Sequence, residues 1–312
     1  MSGKVTVVGA GNVGSNTARR IAEKNLAEQI VMTDIVEGLP QGLALDINQS
    51  APTEGFESLV VGTNDYADTA GSEVVVITAG LPRKPGMSRM DLLDANSEIV
   101  SGVTQQVAKH SPDAIIIVVS NPLDEMTYLS AIVSDFPKER VMGMAGVLDS
   151  SRLRFFIAEK LGVPPTSVEA ITLGSHGDQM VALPRHATVQ GKPLPELVDE
   201  QTLEALFQRT RDAGAEIVGY LKKGSAFYAP SSSAAAMVNS ILGDANETHP
   251  TCAWTTGQYG ISDVYLGVPA KLGRGGVTEI VELELNEDEL AKLKEAADAI
   301  RSKCEDLAAR PS

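Results

Sequence analysis

The chain has 312 residues, of which 43% are hydrophobic and 21% charged, with a formal net charge of -15 from 41 acidic and 26 basic side chains. That length is about twice an average domain, and the composition is that of a globular protein rather than a disordered or fibrous one. The negative balance argues against nucleic acid or an anionic membrane as partner, because the far field repels polyanions, and no apolar run approaches the ~20 residues that span a bilayer.

A strand-like run starts at Val5, almost at once, and no charged segment with an apolar stretch and cleavage site precedes it. A soluble, cytoplasmic protein is therefore expected. Cys252 and Cys304 are the only cysteines, too few for a disulfide framework and without the spacing of a metal site. Packing roles, and no metal, are expected for them.

The first half alternates short apolar runs with amphipathic stretches, the pattern of an α/β fold with a doubly wound parallel sheet. Strands are predicted at Val5 to Val8, Ile30 to Thr33, Leu59 to Val61, Val74 to Thr78, Ala114 to Ser120 and Arg140 to Gly143. Helices are predicted between them, at about Val13 to Lys24, Leu39 to Ser50, Ser88 to His110 and Leu123 to Ser134. After Ala145 the rhythm changes to a helix, short strands around a turn at Gln190-Gly191-Lys192-Pro193, longer helices, further strands and a final helix. We therefore expect two domains, a nucleotide-binding one over 1–144 and a mixed α+β one over 145–312. Asn286 with Glu289 three residues on predicts a capping box for the last helix, whose Leu290, Leu293, Ala297, Ile300, Cys304 and Leu307 recur in steps of three and four.

Gly9-Ala10-Gly11-Asn12-Val13-Gly14 supplies G-x-G-x-x-G between the first strand and the first helix. In that setting the first glycine permits a tight turn, the second lets backbone approach a pyrophosphate, and the third lets helix pack closely on strand. Asp34 closes the second strand twenty residues after Gly14. An acid there can accept from both ribose hydroxyls and repels a 2′-phosphate, which favours NAD over NADP. A turn-forming or capping role is the plainer alternative for Asp34.

Thr78 to Arg89 places Arg83 and Arg89 six residues apart in a loop containing glycines and prolines. Arginine is a fixed cation with a planar fork of donors, suited to carboxylates, so the loop reads as a lid over an anionic substrate or, more plainly, as a solvated basic loop. Asn121-Pro122 follows a predicted strand end, where doubly wound sheets present ligands. Asp149 and Arg152 stand at i and i+3 on one helical face, either a functional pair or a cap with a local ion pair. His176 lies in Gly174-Ser175-His176-Gly177-Asp178, where flanking glycines bring an imidazole to an open surface, and histidine suits proton transfer near neutral pH. His110, His186 and His249 read as surface or packing residues.

Taken together, V-V-G-A-G-N-V-G at Val7 to Gly14, T-A-G-L-P-R-K-P-G-M-S-R at Thr78 to Arg89, S-N-P-L-D at Ser120 to Asp124, L-D-S-S-R at Leu148 to Arg152 and G-S-H-G-D at Gly174 to Asp178 resemble the lactate/malate dehydrogenase family over essentially the whole chain. The L-P-R-K-P-G-M-S-R and Y-A-P-S segments resemble its malate enzymes that stand closest to lactate dehydrogenases. The resemblance implies NAD as cofactor, reversible hydride transfer between malate and oxaloacetate, and a homo-oligomer, a tetramer ahead of a dimer. It implies His176 as proton acceptor and donor, Asp149 as its orienting partner, Arg152 for the C1 carboxylate, Arg89 to polarise the carbonyl and Asn121 for the substrate oxygen. Asn96, Val119, Ser120 and Asn121 would line the nicotinamide side. Arg83 stands where lactate enzymes of the family typically carry glutamine, and it would pair with the second carboxylate of oxaloacetate. Facing the methyl of pyruvate it would be a desolvated charge, so malate is expected over lactate. A lactate or relaxed 2-hydroxy-acid dehydrogenase is the nearest rival, and a non-catalytic NAD-binding regulator the remote one.

Overall fold

The valine- and isoleucine-rich runs of the first half lie side by side as parallel strands whose order reverses once. The computed structural model describes residues 3–81 and 89–308, apart from the side chains of 89, 90 and 308. Strands β1 (Lys4–Val8), β2 (Gln29–Thr33), β3 (Leu59–Thr63), β4 (Val74–Ile77), β5 (Ile115–Val118) and β6 (Val141–Gly143) are ordered β3-β2-β1-β4-β5-β6. Their ladders are all parallel. Helices α1 (Asn12–Glu23), α2 (Leu39–Glu54), α3 (Arg89–His110) and α4 (Leu123–Ser134) connect them. Every residue of β4 and β5 is buried, because parallel strands covered by helices on both faces have no solvent side, which is why they read as unbroken apolar runs. The ladder reverses direction of winding between β1 and β4, so the exits of β1, β4 and β5 form a crevice at the carboxyl edge of the sheet.

The second half contributes α5 (Gly146–Leu161), β7 (Val168–Glu169), β8 (Thr172–Gly174), β9 (Met180–Ala182), β10 (Thr188–Val189), β11 (Lys192–Pro193), α6 (Glu200–Leu221), α7 (Tyr228–Leu242), β12 (Glu247–Thr256), β13 (Ser262–Gly273), β14 (Gly276–Ile280) and α8 (Glu287–Ala308). Sequence rhythm separates the two halves, but the backbone joins them: Cys252 of β12 pairs antiparallel with Gly143 of β6. The order then runs on through β12-β13-β8-β9 with β14 on β13, giving one eleven-stranded mixed sheet. Gly143 permits that junction, since a Cβ there would stand 3.0 Å from the Cβ of Cys252 and 2.5 Å from Oγ1 of Thr127. A small sheet, β11-β10-β7, stands apart, and its hairpin turns on Gln190 and Gly191 at φ 51° and 79°. Positive φ at both positions gives the tight turn that matches strand twist.

The capping box forms as expected. The Glu289 N–H donates to Oδ1 of Asn286 at 2.8 Å, and the Asn286 N–H donates to Oε2 of Glu289 at 2.9 Å. Such a cap contributes about 1 kcal/mol to a helix start. Behind it Leu293, Ala297, Ile300, Cys304 and Leu307 are buried against the core, and Leu290 is half-buried. Cys252 is buried too, so both cysteines pack, as expected.

Candidate active site

The nucleotide end begins where β1 stops. Gly9 turns the chain at φ 99°, and its N–H donates to the Thr33 carbonyl at 2.8 Å. Gly14 brings α1 down onto that turn, because a Cβ on it would overlap the Gly9 carbonyl oxygen. Gly11 has open space where its side chain would be, and as the residue preceding α1 it offers no side-chain cap to the helix end. The first N–H groups of α1, from Asn12 and Val13 on, therefore face the crevice as a ready anion cradle. Asp34 sits beside it, half-buried, its Oδ2 accepting from the Ala10 N–H at 2.6 Å and its Oδ1 from the Val36 N–H at 2.9 Å. The second bond is a turn-forming one, so the plainer alternative for Asp34 coexists with its place at the strand end.

The chemical end is assembled from α5 and the β8–β9 loop. Asp149 is 2% exposed and divides its oxygens: Oδ2 lies 2.8 Å from Nδ1 of His176, and Oδ1 accepts from Nη1 of Arg152 at 3.3 Å. Gly174 at φ 84° and Gly177 at φ 139° frame His176 and let the loop turn its imidazole toward Asp149. A carboxylate on Nδ1 fixes that nitrogen as the donor and leaves Nε2 to exchange a proton. The charge of Asp149 raises the His176 pKa; burial opposes it, the Asp149 hydrogen bond and the Asp124 carboxyl add to it, and Arg152 lowers it.

His176, Asp149, Arg152, Asn121, Val119 and Val13 line a single cavity of about 320 Å³ that also reaches Met180, Arg211, Ala226 and Pro230. Arg152 is 13% exposed, and its Nε is buried without a hydrogen-bond partner among the described residues. A buried guanidinium N–H left over in a cavity asks for an oxygen ligand, and a carboxylate meets it as a fork.

Two expected site residues stand behind this wall. The Asn96 side chain, 1% exposed, accepts from the Leu81 N–H at 2.7 Å and donates to the carbonyls of Leu81 at 3.2 Å and Asn121 at 2.6 Å. Ser120 donates to the Ala79 carbonyl at 2.6 Å. Both tie the exits of β4 and β5 together. Arg83 lies outside the described residues, and so does the side chain of Arg89, whose backbone opens α3. Elsewhere His110 and His186 are half-buried and His249 packs at the start of β12, away from the cavity.

Sequence reasoning missed Arg211, Met180 and the Ser225–Ala226 stretch, all of which line the cavity. Arg211 carried no signal in the sequence, where it is one more arginine on a helical face; in the structure it reaches Oε1 of Glu204 at 3.4 Å and the amide Oε1 of Gln208 at 3.3 Å. The other residues are small or apolar and carried none either.

Comparison with known proteins agrees with this geometry. Residues 3–143 match the family model described as lactate/malate dehydrogenase, NAD binding domain, and residues 146–310 match its alpha/beta C-terminal domain. The chain is 53% identical over 302 residues to malate dehydrogenase of Chloroherpeton thalassium, covering 97% of each protein, and 53% identical over 304 residues to that of Salinibacter ruber, covering 97% of this chain and 96% of the relative. The solved malate dehydrogenase structure from Salinibacter ruber superposes with a TM-score of 0.94 at 50% identity, covering 98% of this chain and 97% of that one. A lactate dehydrogenase from Cryptosporidium parvum, complexed with lactic acid and nicotinamide adenine dinucleotide, superposes with a TM-score of 0.95 at 40% identity, covering 100% of this chain and 99% of that one. The chain belongs to the lactate/malate dehydrogenase family.

Proposed function

We propose that this chain is an NAD-dependent malate dehydrogenase, interconverting (S)-malate and oxaloacetate. The observation that carries the reading is the shared cavity, in which a carboxylate-bound imidazole and a guanidinium whose Nε has no partner among the described residues stand together at the carboxyl edge of a doubly wound sheet. The relatives named malate dehydrogenase support it over 97% of the chain. The open face of Gly11, the uncapped start of α1 and the carboxylate of Asp34 fit a dinucleotide, with Gly9 to Gly14 around the pyrophosphate and Asp34 toward the adenosine ribose. When bound, NAD supplies the two-electron donor or acceptor for the substrate carbon.

The protein supplies everything else. Arg152 holds the C1 carboxylate, Asn121 donates to the substrate oxygen, and His176 Nε2 takes the hydroxyl proton of malate or returns it to the oxygen of oxaloacetate. Asp149 holds the imidazole in one tautomer and stabilises the imidazolium. Asn96 and Ser120 brace the strand ends that carry Val119 and Asn121. In this reading Arg89 polarises the carbonyl, Arg83 pairs with the second carboxylate, and the chain divides at about Ala145 into cofactor and substrate halves. We read it as a cytoplasmic homotetramer, with the exposed Leu45 on α2 and Tyr220, Leu221 and Tyr228 around the α6–α7 junction assigned to subunit contact. Among the described residues no helix is long and apolar enough to cross a membrane.

Loss of NADH absorbance on adding oxaloacetate, compared with pyruvate, tests the assignment. Oxaloacetate should be preferred by a hundredfold or more in kcat/KM, since the alternative substrate leaves a charge unpaired at a cost of about 3 kcal/mol or more. Equal rates would return the chain to the relaxed 2-hydroxy-acid dehydrogenases, and no turnover of either would favour the regulator.

The cofactor assignment has its own test. NADH should be strongly preferred over NADPH, and Asp34→Ser should narrow that ratio by removing both the ribose acceptor and the repulsion of a 2′-phosphate. The Ala10 and Val36 N–H groups can reach a serine hydroxyl or water, so the fold should survive. An unchanged ratio of kcat/KM in the folded variant would show that Asp34 is not the discriminator.

A further inference from the structure

One buried carboxyl next to the reaction site takes no part in the chemistry above. Asp124 is the second residue of α4, 5% exposed, and follows the Asn121–Pro122 peptide bond, which is cis. Its Oδ2 accepts from the backbone N–H of His176 at 3.2 Å, and its Oδ1 accepts from Sγ of Cys252 on β12 at 3.3 Å. One short stretch thus presents Asn121 to the cavity in front of the imidazole and Asp124 to the peptide behind it.

A first-turn acid normally caps its own helix at the surface, where it is solvated. This one is desolvated and spends its oxygens on another loop and another strand. Burial first, and then the neighbouring Glu125, push its carboxyl up to about 6, while His176 and the two hydrogen bonds hold it down. Its own charge in turn favours the imidazolium of His176. Among the described residues the other charged or titratable groups here are Asp149 and Arg152 from α5, Glu125 on α4 beside Lys303 of α8, Cys304 of α8, Cys252 of β12 and, on the histidine's own loop, Asp178. Among the described residues, only Asp149 hydrogen-bonds the ring and only Asp124 grips the peptide that carries it.

We propose that Asp124 is a positioning residue for His176, pinning its peptide N–H to the start of α4 so that the imidazole and Asn121 face the substrate as one rigid unit, and adding a second negative charge behind the ring. The inference rests on His176 being the proton-exchanging residue. Asn96 and Asp124 then divide the work: Asn96 ties the Asn121 carbonyl to Leu81, and Asp124 fixes the histidine to the turn that follows Asn121.

Asp124→Asn keeps an oxygen for the peptide and removes the charge, whereas Asp124→Ala removes both. The full-length variants are compared with the parent for kcat and KM against pH in both directions, for NADH affinity by fluorescence, and alongside His176→Asn. Both Asp124 variants should move the pH midpoint shared by the two directions to lower pH, because a charge favouring the imidazolium is gone. Asp124→Ala should also lose about tenfold to a hundredfold in kcat, with NADH affinity within about twofold of the parent, the signature of a displaced catalytic group. Asp124→Asn should recover most of that turnover. A parental pH midpoint in Asp124→Asn would overturn the proposal whether or not the alanine variant folds, and so would equal losses of turnover in the two variants. If His176→Asn kept its turnover, the proton-shuttle reading itself would fail; if it were inactive while Asp124→Asn behaved as the parent, only the role of Asp124 would fall.

Discussion

His176→Asn is expected to lower kcat by about 10²- to 10⁴-fold in both directions, the usual worth of a positioned general acid and base, while NADH affinity stays near that of the parent. The asparagine amide can still meet Asp149 but cannot exchange a proton at neutral pH. Because the charge of Asp149 raises the histidine's pKa against the opposing effect of burial, the imidazolium persists to higher pH than for a free histidine. Oxaloacetate reduction needs that protonated form, so its kcat/KM should be full on the acid side and fall as pH rises through the raised value. Malate oxidation needs the neutral ring and should rise over the same window. Asp149→Asn should carry both transitions to lower pH and cut turnover.

Stability follows the same sign. A group whose folded pKa is raised contributes most below its unfolded value and loses that contribution as pH climbs through the folded one. The fall in Tm caused by His176→Asn should therefore be larger at pH 5.5 than at pH 9. Near-normal turnover in His176→Asn would remove this residue from the mechanism, and a pH-independent fall in Tm would mean that the Asp149 contact is not an ion pair.

The parts legible in the sequence were those in which one physical constraint dominates. β4 and β5 are buried on both faces, so their runs could only be apolar, and the expected Val74 to Thr78 and Ala114 to Ser120 differ from the observed strands only at their ends. The end of the second is informative: Val119, its N–H still on the Ile77 carbonyl, lines the cavity, and Ser120 braces Ala79. The capping box was readable because Asn and Glu at that spacing have one common use.

What the sequence hid is long-range. β8 and β9 are three residues each, too short for an alternation to show. The pairing of Cys252 with Gly143, which fuses the two halves into one sheet, depends on approach across more than a hundred residues that no local pattern encodes. The site divides in the same way. His176, Asp149 and Arg152 carry chemistry in their side-chain types and could be singled out from them, and the structure brings the three to one cavity, whereas Arg211 resembled any solvated helix arginine until α6 was seen to border that cavity. Asp124 resembled an ordinary first-turn acid of α4, and only its burial and its reach to the His176 peptide distinguish it.

Substrate choice should divide between two arginines that differ in what they can meet. Arg152 belongs to the described cavity, 13% exposed, with Asp149 on one side at 3.3 Å and a buried Nε that has no partner among the described residues. The carboxylate it is assigned is common to oxaloacetate and pyruvate. Arg152→Gln should therefore cost both substrates about 2–5 kcal/mol of transition-state stabilisation, because a buried charge-assisted fork is lost and the substrate carboxylate is left poorly paired. It should also move the pH midpoint upward, since the guanidinium is the neighbour that disfavours the imidazolium. Arg83 lies outside the described residues, and its assignment rests on its place in the sequence between β4 and α3. Its proposed ligand, the second carboxylate, exists only in oxaloacetate. Arg83→Gln should therefore lower kcat/KM for oxaloacetate by several kcal/mol while pyruvate, relieved of an unpaired guanidinium, improves. The discriminating quantity is the ratio of the two kcat/KM values, which should hold in the first variant and collapse or invert in the second. If Arg83→Gln lowered both keto acids by one common factor, the loop arginine would serve catalysis in general, and the preference for a dicarboxylate would need another source, of which Arg211 on the cavity wall is the first to test.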